Sequence, residues 1–288
     1  MNDQAQVFRP PGAEPEGPVL TERDFKRIAA VLFEDSGIRL PPDGESLVHA
    51  RLLRRLRALG LKSFRDYCDL VASEDGAPER QAMLSALTTN LTRFFREPHH
   101  FTDLGARFRQ DWLDQARAGR RIRIWSAGCS SGEEAYSIAL TLLSHLPDAD
   151  RYDVRVLATD IDEKILRQGQ AGLYSEDAVA PIPSEMRERW LERQPGGGFS
   201  MGAAARRLVS FRPLNLMGPW PMKGRFNAIF CRNVAIYFDA AGQDQLWSRY
   251  APLLTADGRL YVGHSERVDD KQFKADGLTS YRLAGGQA

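Results

Sequence analysis

RIRIWSAGCSSGEEAYSIALTLLSHL, residues 121–146, decides the fold class. Its first seven residues read as a strand, Gly128 and Gly132 mark a tight loop, and EEAYSIALTLLSHL reads as the helix that follows. The same strand-then-helix rhythm recurs downstream. YDVRVLATDID (152–162) is a second strand, with EKILRQGQAG as its helix. RFNAIFCRN (225–233) is a third, with DQLWSRYAPLL after it, then GRLYVGH (258–264) and TSYRLAG (279–285) as further strands. Strands alternating with helices predict a mostly parallel sheet covered on both faces. The rhythm is interrupted between Leu173 and Asn215. There SEMRERWLERQ reads as a helix, and Gly196-Gly197-Gly198 leads into FSMG and RRLVSFRPLN, expected as a small strand excursion inserted in the sheet domain.

Upstream of the sheet the period changes to helical. Phe25, Ile28, Ala29, Leu32 and Phe33 repeat at helix spacing behind Thr21, a candidate N-cap with Asp24 three residues on. In the next stretch Val48, Leu52, Leu53, Leu56 and Leu59 share one arc when residues are set about 100° apart. Arg51, Arg54, Arg55 and Arg57 share the opposite one, and His49–Arg65 holds six Lys or Arg and no acid. Helical patterns follow around Phe64–Ala72 and Glu79–Leu91. Residues 19–92 are therefore expected to form an all-helical domain and 93–288 an α/β domain, with the insertion at about 174–214. The Pro- and Gly-rich residues 1–18 are expected to be a disordered tail.

At 288 residues the chain has a prior of about two domains. Lys plus Arg exceeds Asp plus Glu by only 39 − 38 = +1, so no global field draws in nucleic acid or anionic lipid. No run approaches the roughly 18 apolar residues of a membrane span, and the first residues lack the features of a signal peptide. Cys68, Cys129 and Cys231 are widely spaced with no CxxC pair, which fits a reducing cytoplasm.

Ligands of open parallel sheets bind at the carboxyl ends of the strands. After the first strand, Gly128 and Gly132 let a ligand approach the backbone, but the loop is neither G-x-G-x-x-G nor a P-loop. Glu133 and Glu134 at the helix start suit a cationic ligand or hydroxyl donors; the alternative is simple complementation of the helix dipole. The second strand ends in Asp160 and Asp162. Asp160 is placed to accept from ribose hydroxyls, whereas Asp162 fits a helix N-cap better. The third strand runs into Arg232 and Asn233, with Tyr237 beyond. An acid, a glycine loop and an Asn-bearing strand end describe adenosine with a cationic tail, S-adenosylmethionine rather than NAD or ATP. TNLTRFFREPHHF (89–101) bridges helices and sheet; it reads either as site-forming or as a packed hinge in which Arg96 pairs with a neighbouring acid. His99 and His100 read as packing or capping residues, because spacing shows no third metal ligand.

TNLTRFFREPHHF, IWSAGCSSGEEAYSIAL (124–140), ATDID (158–162), IFCRNVAIYF (229–238) and GHSE (263–266) together resemble the CheR family of chemotaxis receptor glutamate methyltransferases, over about residues 20–285. The resemblance implies an S-adenosylmethionine-dependent methyltransferase domain, Rossmann-like, with an inserted β-subdomain and a preceding helical domain. It implies methyl transfer from S-adenosylmethionine to glutamates of chemoreceptor cytoplasmic helices, giving methyl esters and S-adenosylhomocysteine for chemosensory adaptation, with no metal. By the same resemblance Asn90, Thr92, Arg96, Glu134, Asp160, Asn215, Leu216, Arg232 and Asn233 are cofactor-binding positions. Arg96 and Tyr237 stand near the transferred methyl, and Arg51, Arg54 and Arg55 fall on the family's docking surface for acidic receptor helices. The expected protein is a cytoplasmic monomer without membrane insertion. Two other functions are weighed: a non-catalytic receptor or nucleotide sensor, against which the complete residue set argues, and a methyltransferase for a different substrate.

Overall fold

The structure, a computed structural model, describes residues 17–285. Apart from Gly17 and Pro18, the expected tail lies outside the described residues. The chain forms two compact units: one runs to Asp35 and resumes over Leu40–Leu87, the other holds Ser36–Arg39 and everything from Thr88.

The first unit is helical: α1 (Glu22–Ser36), α2 (Glu45–Leu59), α3 (Phe64–Ala72) and α4 (Ala77–Leu87). Thr21 and Asp24 cap α1 reciprocally, Asp24 N–H donating to Thr21 Oγ1 (3.2 Å) and Thr21 N–H to Asp24 Oδ2 (3.3 Å). α2 stops at Gly60, whose φ of 67° supplies the left-handed cap. Val48, Leu52 and Leu56 of α2 are buried, but Leu59 is 40% exposed because the helix ends there, past its last packed turn. The arginines of α2 do not share one solvent face. Arg54 and Arg57 are exposed. Arg51 donates to the Leu87 carbonyl (2.7 Å), and Arg55 forms a forked pair with buried Glu79 (3.0 and 2.5 Å), which also accepts from Tyr67 Oη.

The second unit contains α5 (His99–Arg107), α6 (Leu113–Arg117), α7 (Glu133–His145), α8 (Glu163–Ala171), α9 (Glu176–Val179), α10 (Ser184–Trp190), α11 (Ala203–Leu208) and α12 (Ala240–Tyr250). Its strands are β1 (Ile122–Ala127), β2 (Val154–Asp160), β3 (Leu173–Tyr174), β4 (Leu191–Arg193), β5 (Phe199–Met201), β6 (Val209–Pro213), β7 (Phe226–Cys231), β8 (Leu254–Val262), β9 (Phe273–Ala275) and β10 (Ser280–Leu283). The main sheet has the order β6-β2-β1-β7-β8-β10-β9, its strands running one way except for β10, which is antiparallel to both its neighbours, β8 and β9. Central β1 is buried on both faces: Ile122 and Ile124 join the core with α5 and α7, while Trp125 and Ala127 join the one with α12. The chain reverses its direction of travel across the sheet between β1 and β7, so the strand ends there form the crevice where α/β folds take ligands.

One expectation is corrected. RRLVSFRPLN does not belong to the inserted sheet. Val209–Pro213 is the edge strand β6 of the main sheet, parallel to β2, with Pro213 opposite Asp160. Burial decides this: Phe211 packs on Tyr136 and fills the space that a side chain at Gly169 would need (2.6 Å to an ideal Cβ). The inserted sheet is antiparallel and narrower, in the order β3-β5-β4. β9, not expected from the sequence, adds to the far edge.

Candidate methyl-donor site

The loop from β1 to α7 turns on Gly128 and Gly132, with φ of 94° and 97°. A Cβ at Gly128 would lie 2.2 Å from Val234 Cγ2, so only glycine lets this loop meet the one leaving β7. Gly128 and Cys129 N–H donate to the Thr159 carbonyl (2.8 and 2.9 Å), tying the loop to the end of β2. Asp160 continues that tie: Oδ2 accepts from Ser130 N–H (2.8 Å) and Oδ1 from Asp162 N–H (3.0 Å). Burial pushes its carboxyl pKa up, against the pull of those N–H bonds. Asp162 caps α8, accepting from Lys164 N–H (2.9 Å), as its position suggested.

Residues 89–91 lie against these strand ends in the second unit. Each of their carbonyls accepts from a different part of the site: Thr89 from Tyr237 Oη (3.4 Å), Asn90 from Ser130 Oγ (2.8 Å) and Leu91 from Arg96 (3.2 Å). The Asn90 amide donates to Asp162 Oδ2 (3.0 Å). Half-buried Thr92 follows on the same segment. Beyond β6, Leu214 N–H donates to the Asp160 carbonyl (2.9 Å), and this seats Asn215 and buried Leu216 beside β2. Asn90 and Asn215 thus come to the end of β2 at Asp160, while Arg96 and Tyr237 hold separate carbonyls of one three-residue segment, those of Leu91 and Thr89.

Glu134 and Arg232 face each other. Glu134 accepts from Arg232 Nη1 (2.8 Å) and Ser126 Oγ (2.7 Å), and both side chains are less than a tenth exposed. Burial raises the Glu134 pKa and Arg232 opposes it. Glu134 therefore does more than complement a helix dipole: it neutralises a buried guanidinium. Arg96 forms no ion pair among the described residues, contrary to the packed-hinge reading.

Two acids escaped the sequence reading. Glu97, at φ 57°, accepts from His264 Nδ1 (3.0 Å) and lies 3.4 Å from Arg232 Nη2. Burial raises its pKa, but His264 and Arg232 outweigh that and the net direction is down. Glu266 accepts four backbone N–H groups around Asn233 and Gly263. Its signal was an acid just past a strand end, in GHSE. A third omission is corrected here: the fold brings Glu97 to His99 and His100, with ligand atoms within 4.8 Å of one another. The Arg232 guanidinium beside Glu97 opposes a cation at that place.

The description "CheR methyltransferase, SAM binding domain" matches residues 90–282, and "CheR methyltransferase, all-alpha domain" matches residues 23–88. The chain belongs to the CheR methyltransferase family. A probable chemotaxis protein methyltransferase of Rhizobium etli is 49% identical over 258 residues, spanning 88% of this chain and 96% of that one. A chemotaxis protein methyltransferase 2 of Pseudomonas aeruginosa is 41% identical across 85% of this chain and 87% of its own length. The chemotaxis protein methyltransferase of Escherichia coli is 39% identical across 92% of each chain. This CheR methyltransferase is thus an S-adenosylmethionine-dependent enzyme, a helical domain followed by an α/β methyltransferase domain. No helix among its described residues is long and apolar enough to cross a membrane.

Proposed function

We propose that this enzyme esterifies glutamate side chains on the cytoplasmic helices of chemoreceptors, and that S-adenosylmethionine binds at the ends of β1, β2 and β7. The observation that carries the site is the segment 89–91, whose three carbonyls are gripped by Tyr237, Ser130 and Arg96. It gathers the glycine loop and the two candidate catalytic side chains around one crevice. The donor set fits the cofactor. An ionised carboxylate has about four acceptor sites, and Asp160 has used one on each oxygen, leaving room for two ribose hydroxyls. Asn90, Thr92, Asn215, Leu216 and Asn233 complete the cradle, and the Glu134–Arg232 pair braces it.

When bound, S-adenosylmethionine supplies a methyl on a sulfonium, which the acceptor carboxylate takes to give a methyl ester and S-adenosylhomocysteine. A receptor glutamate is already ionised at neutral pH, with an ordinary pKa of about 4.3, so the protein need not remove a proton. Its residues align and exclude water. Arg96 orients the incoming carboxylate transiently, because a lasting bidentate pair would blunt the nucleophile. Tyr237 acts by position. Of the three docking candidates on α2, Arg54 is the exposed one and would meet an acidic receptor helix. Three buried free cysteines are in keeping with a reducing cytoplasm. Incubation with methyl-labelled donor and receptor cytoplasmic domains tests the reading: the label must enter the receptor and leave as methanol in mild alkali. An alkali-stable label would mean an amine acceptor and sink the glutamate assignment.

A further inference from the structure

Glu266 is a buried carboxylate with no cationic partner among the described residues. It is 3% exposed. Oε2 accepts N–H bonds from Asn233 (2.8 Å) and Gly263 (2.5 Å), and Oε1 from Val234 (2.9 Å) and Ala235 (2.8 Å). Three of these donors are consecutive residues of the loop leaving β7; the fourth leaves β8. One backbone shape that makes successive N–H groups converge on an anion is a turn through the left-handed region, and Asn233 takes it with φ 60°. Asparagine tolerates that conformation better than most residues, but it does not enforce it. The anion does. Space around it is filled: a Cβ at Gly263 would lie 2.5 Å from Asn233 Nδ2 and 2.8 Å from Glu266 Oε2. The same loop carries Arg232, Asn233 and Tyr237, and its Val234 packs against Gly128 of the β1 loop.

We propose that Glu266 is a positioning residue for methyl-donor binding, its carboxylate holding the Asn233–Ala235 turn in the shape that presents Asn233 to the cofactor. This rests on the reading that Asn233 meets the cofactor. Charge and shape both matter. Only an acceptor-only group can serve four donors, and a glutamine would turn an N–H₂ against two of them. A mere structural anchor would lower the melting temperature and leave the affinity of the folded protein unchanged. A positioning residue changes the affinity of the folded protein, and a small free carboxylate restores it.

The test is calorimetric titration of S-adenosylhomocysteine into the full chain, with melting temperatures measured alongside. Glu266→Gln, folded at the titration temperature, is expected to bind about tenfold more weakly or worse. Formate is expected to recover affinity in Glu266→Ala and not in the wild type or Glu266→Gln. Asn233→Gly keeps the left-handed backbone and removes the amide; it should also bind weakly. Adding Glu266→Gln to it should cost little more, since both act through one contact. Wild-type affinity in folded Glu266→Gln, with Asn233→Gly weakened, overturns the positioning role and leaves the site intact. Wild-type affinity in Asn233→Gly overturns the assignment of Asn233 itself. If neither Glu266 variant folds even with formate, the residue anchors the fold and the inference fails.

Discussion

Asp160 takes one backbone N–H on each oxygen, from Ser130 and Asp162, and so serves the loop before it serves any ligand. Its substitution should therefore register twice. Asp160→Ala is expected to weaken S-adenosylmethionine binding about tenfold to a hundredfold by calorimetry. It should also lower the melting temperature, because the Ser130 and Asp162 donors lose their acceptor. Unchanged affinity in a folded variant would remove Asp160 from the site. Glu134 tests a different principle. Its partner Arg232 is buried, so Glu134→Gln removes the nearer counter-charge (2.8 Å), leaves only Glu97 at 3.4 Å and should cost about 3–5 kcal/mol in urea unfolding. A loss below about 1 kcal/mol would mean that Glu97 alone satisfies Arg232. Sequence could nominate Asp160, Glu134 and Arg232 because each follows an apolar strand. It could not pair the last two, which are brought together only when β1 and β7 become neighbours.

At the level of the helix, α2 separates arginines that its helical spacing had grouped on one arc. Arg54 faces solvent, while Arg55 lies across α4 onto Glu79 and Tyr67. The two should respond differently to substitution. Arg54→Glu should weaken receptor methylation, leave cofactor binding and melting temperature unchanged, and share the sensitivity to added salt expected of a charged docking face. Arg55→Ala should instead cost about 1–3 kcal/mol of stability by stranding the buried Glu79 carboxylate. Methylation assays at low and high salt, beside thermal melts, separate them; equal effects from both would place the docking face elsewhere. The strand Val209–Pro213 shows the same limit. Its alternation of Val209 and Phe211 reads as a strand from sequence, but which sheet it joins depends on where Phe211 finds a hydrophobic bed.

For the whole molecule, pH is the most discriminating variable. His100 is 1% exposed, against Tyr261 and Phe230, and burial with the Arg232 charge pushes its pKa down to about 3. Between its ordinary 6.5 and that value the unfolded chain binds a proton that the folded chain refuses, so stability falls as pH drops through the window. Glu133, Glu134 and Asp160, raised by burial, act in the opposite sense: their contribution is largest in acid and is lost as pH rises through their folded pKa values. Comparison with His100→Gln isolates the histidine. The wild type should lose more melting temperature than this variant between pH 6.5 and 5, and equal slopes would exclude His100 as the cause. Catalysis should behave otherwise. Single-turnover methyl transfer should stay nearly flat between about pH 6 and 8.5 and fall only as the acceptor glutamate protonates, near its ordinary pKa of about 4.3. Tyr237→Phe should lower that plateau without bending it; a tenfold rise per pH unit across neutrality would require a base. By itself the sequence determined the helical and α/β units and the strand ends that such a fold offers to ligands, because periodicity and glycine placement are local properties of the chain; the family showed instead in the resemblance of five ordered motifs. Tertiary structure alone decided that Arg55 belongs to Glu79, that Val209–Pro213 completes the main sheet and that Glu97 and Glu266 organise the loops around the site. Each of those outcomes depends on partners far apart in sequence, whose charges and donors become costly to leave unmet only once burial has removed the water.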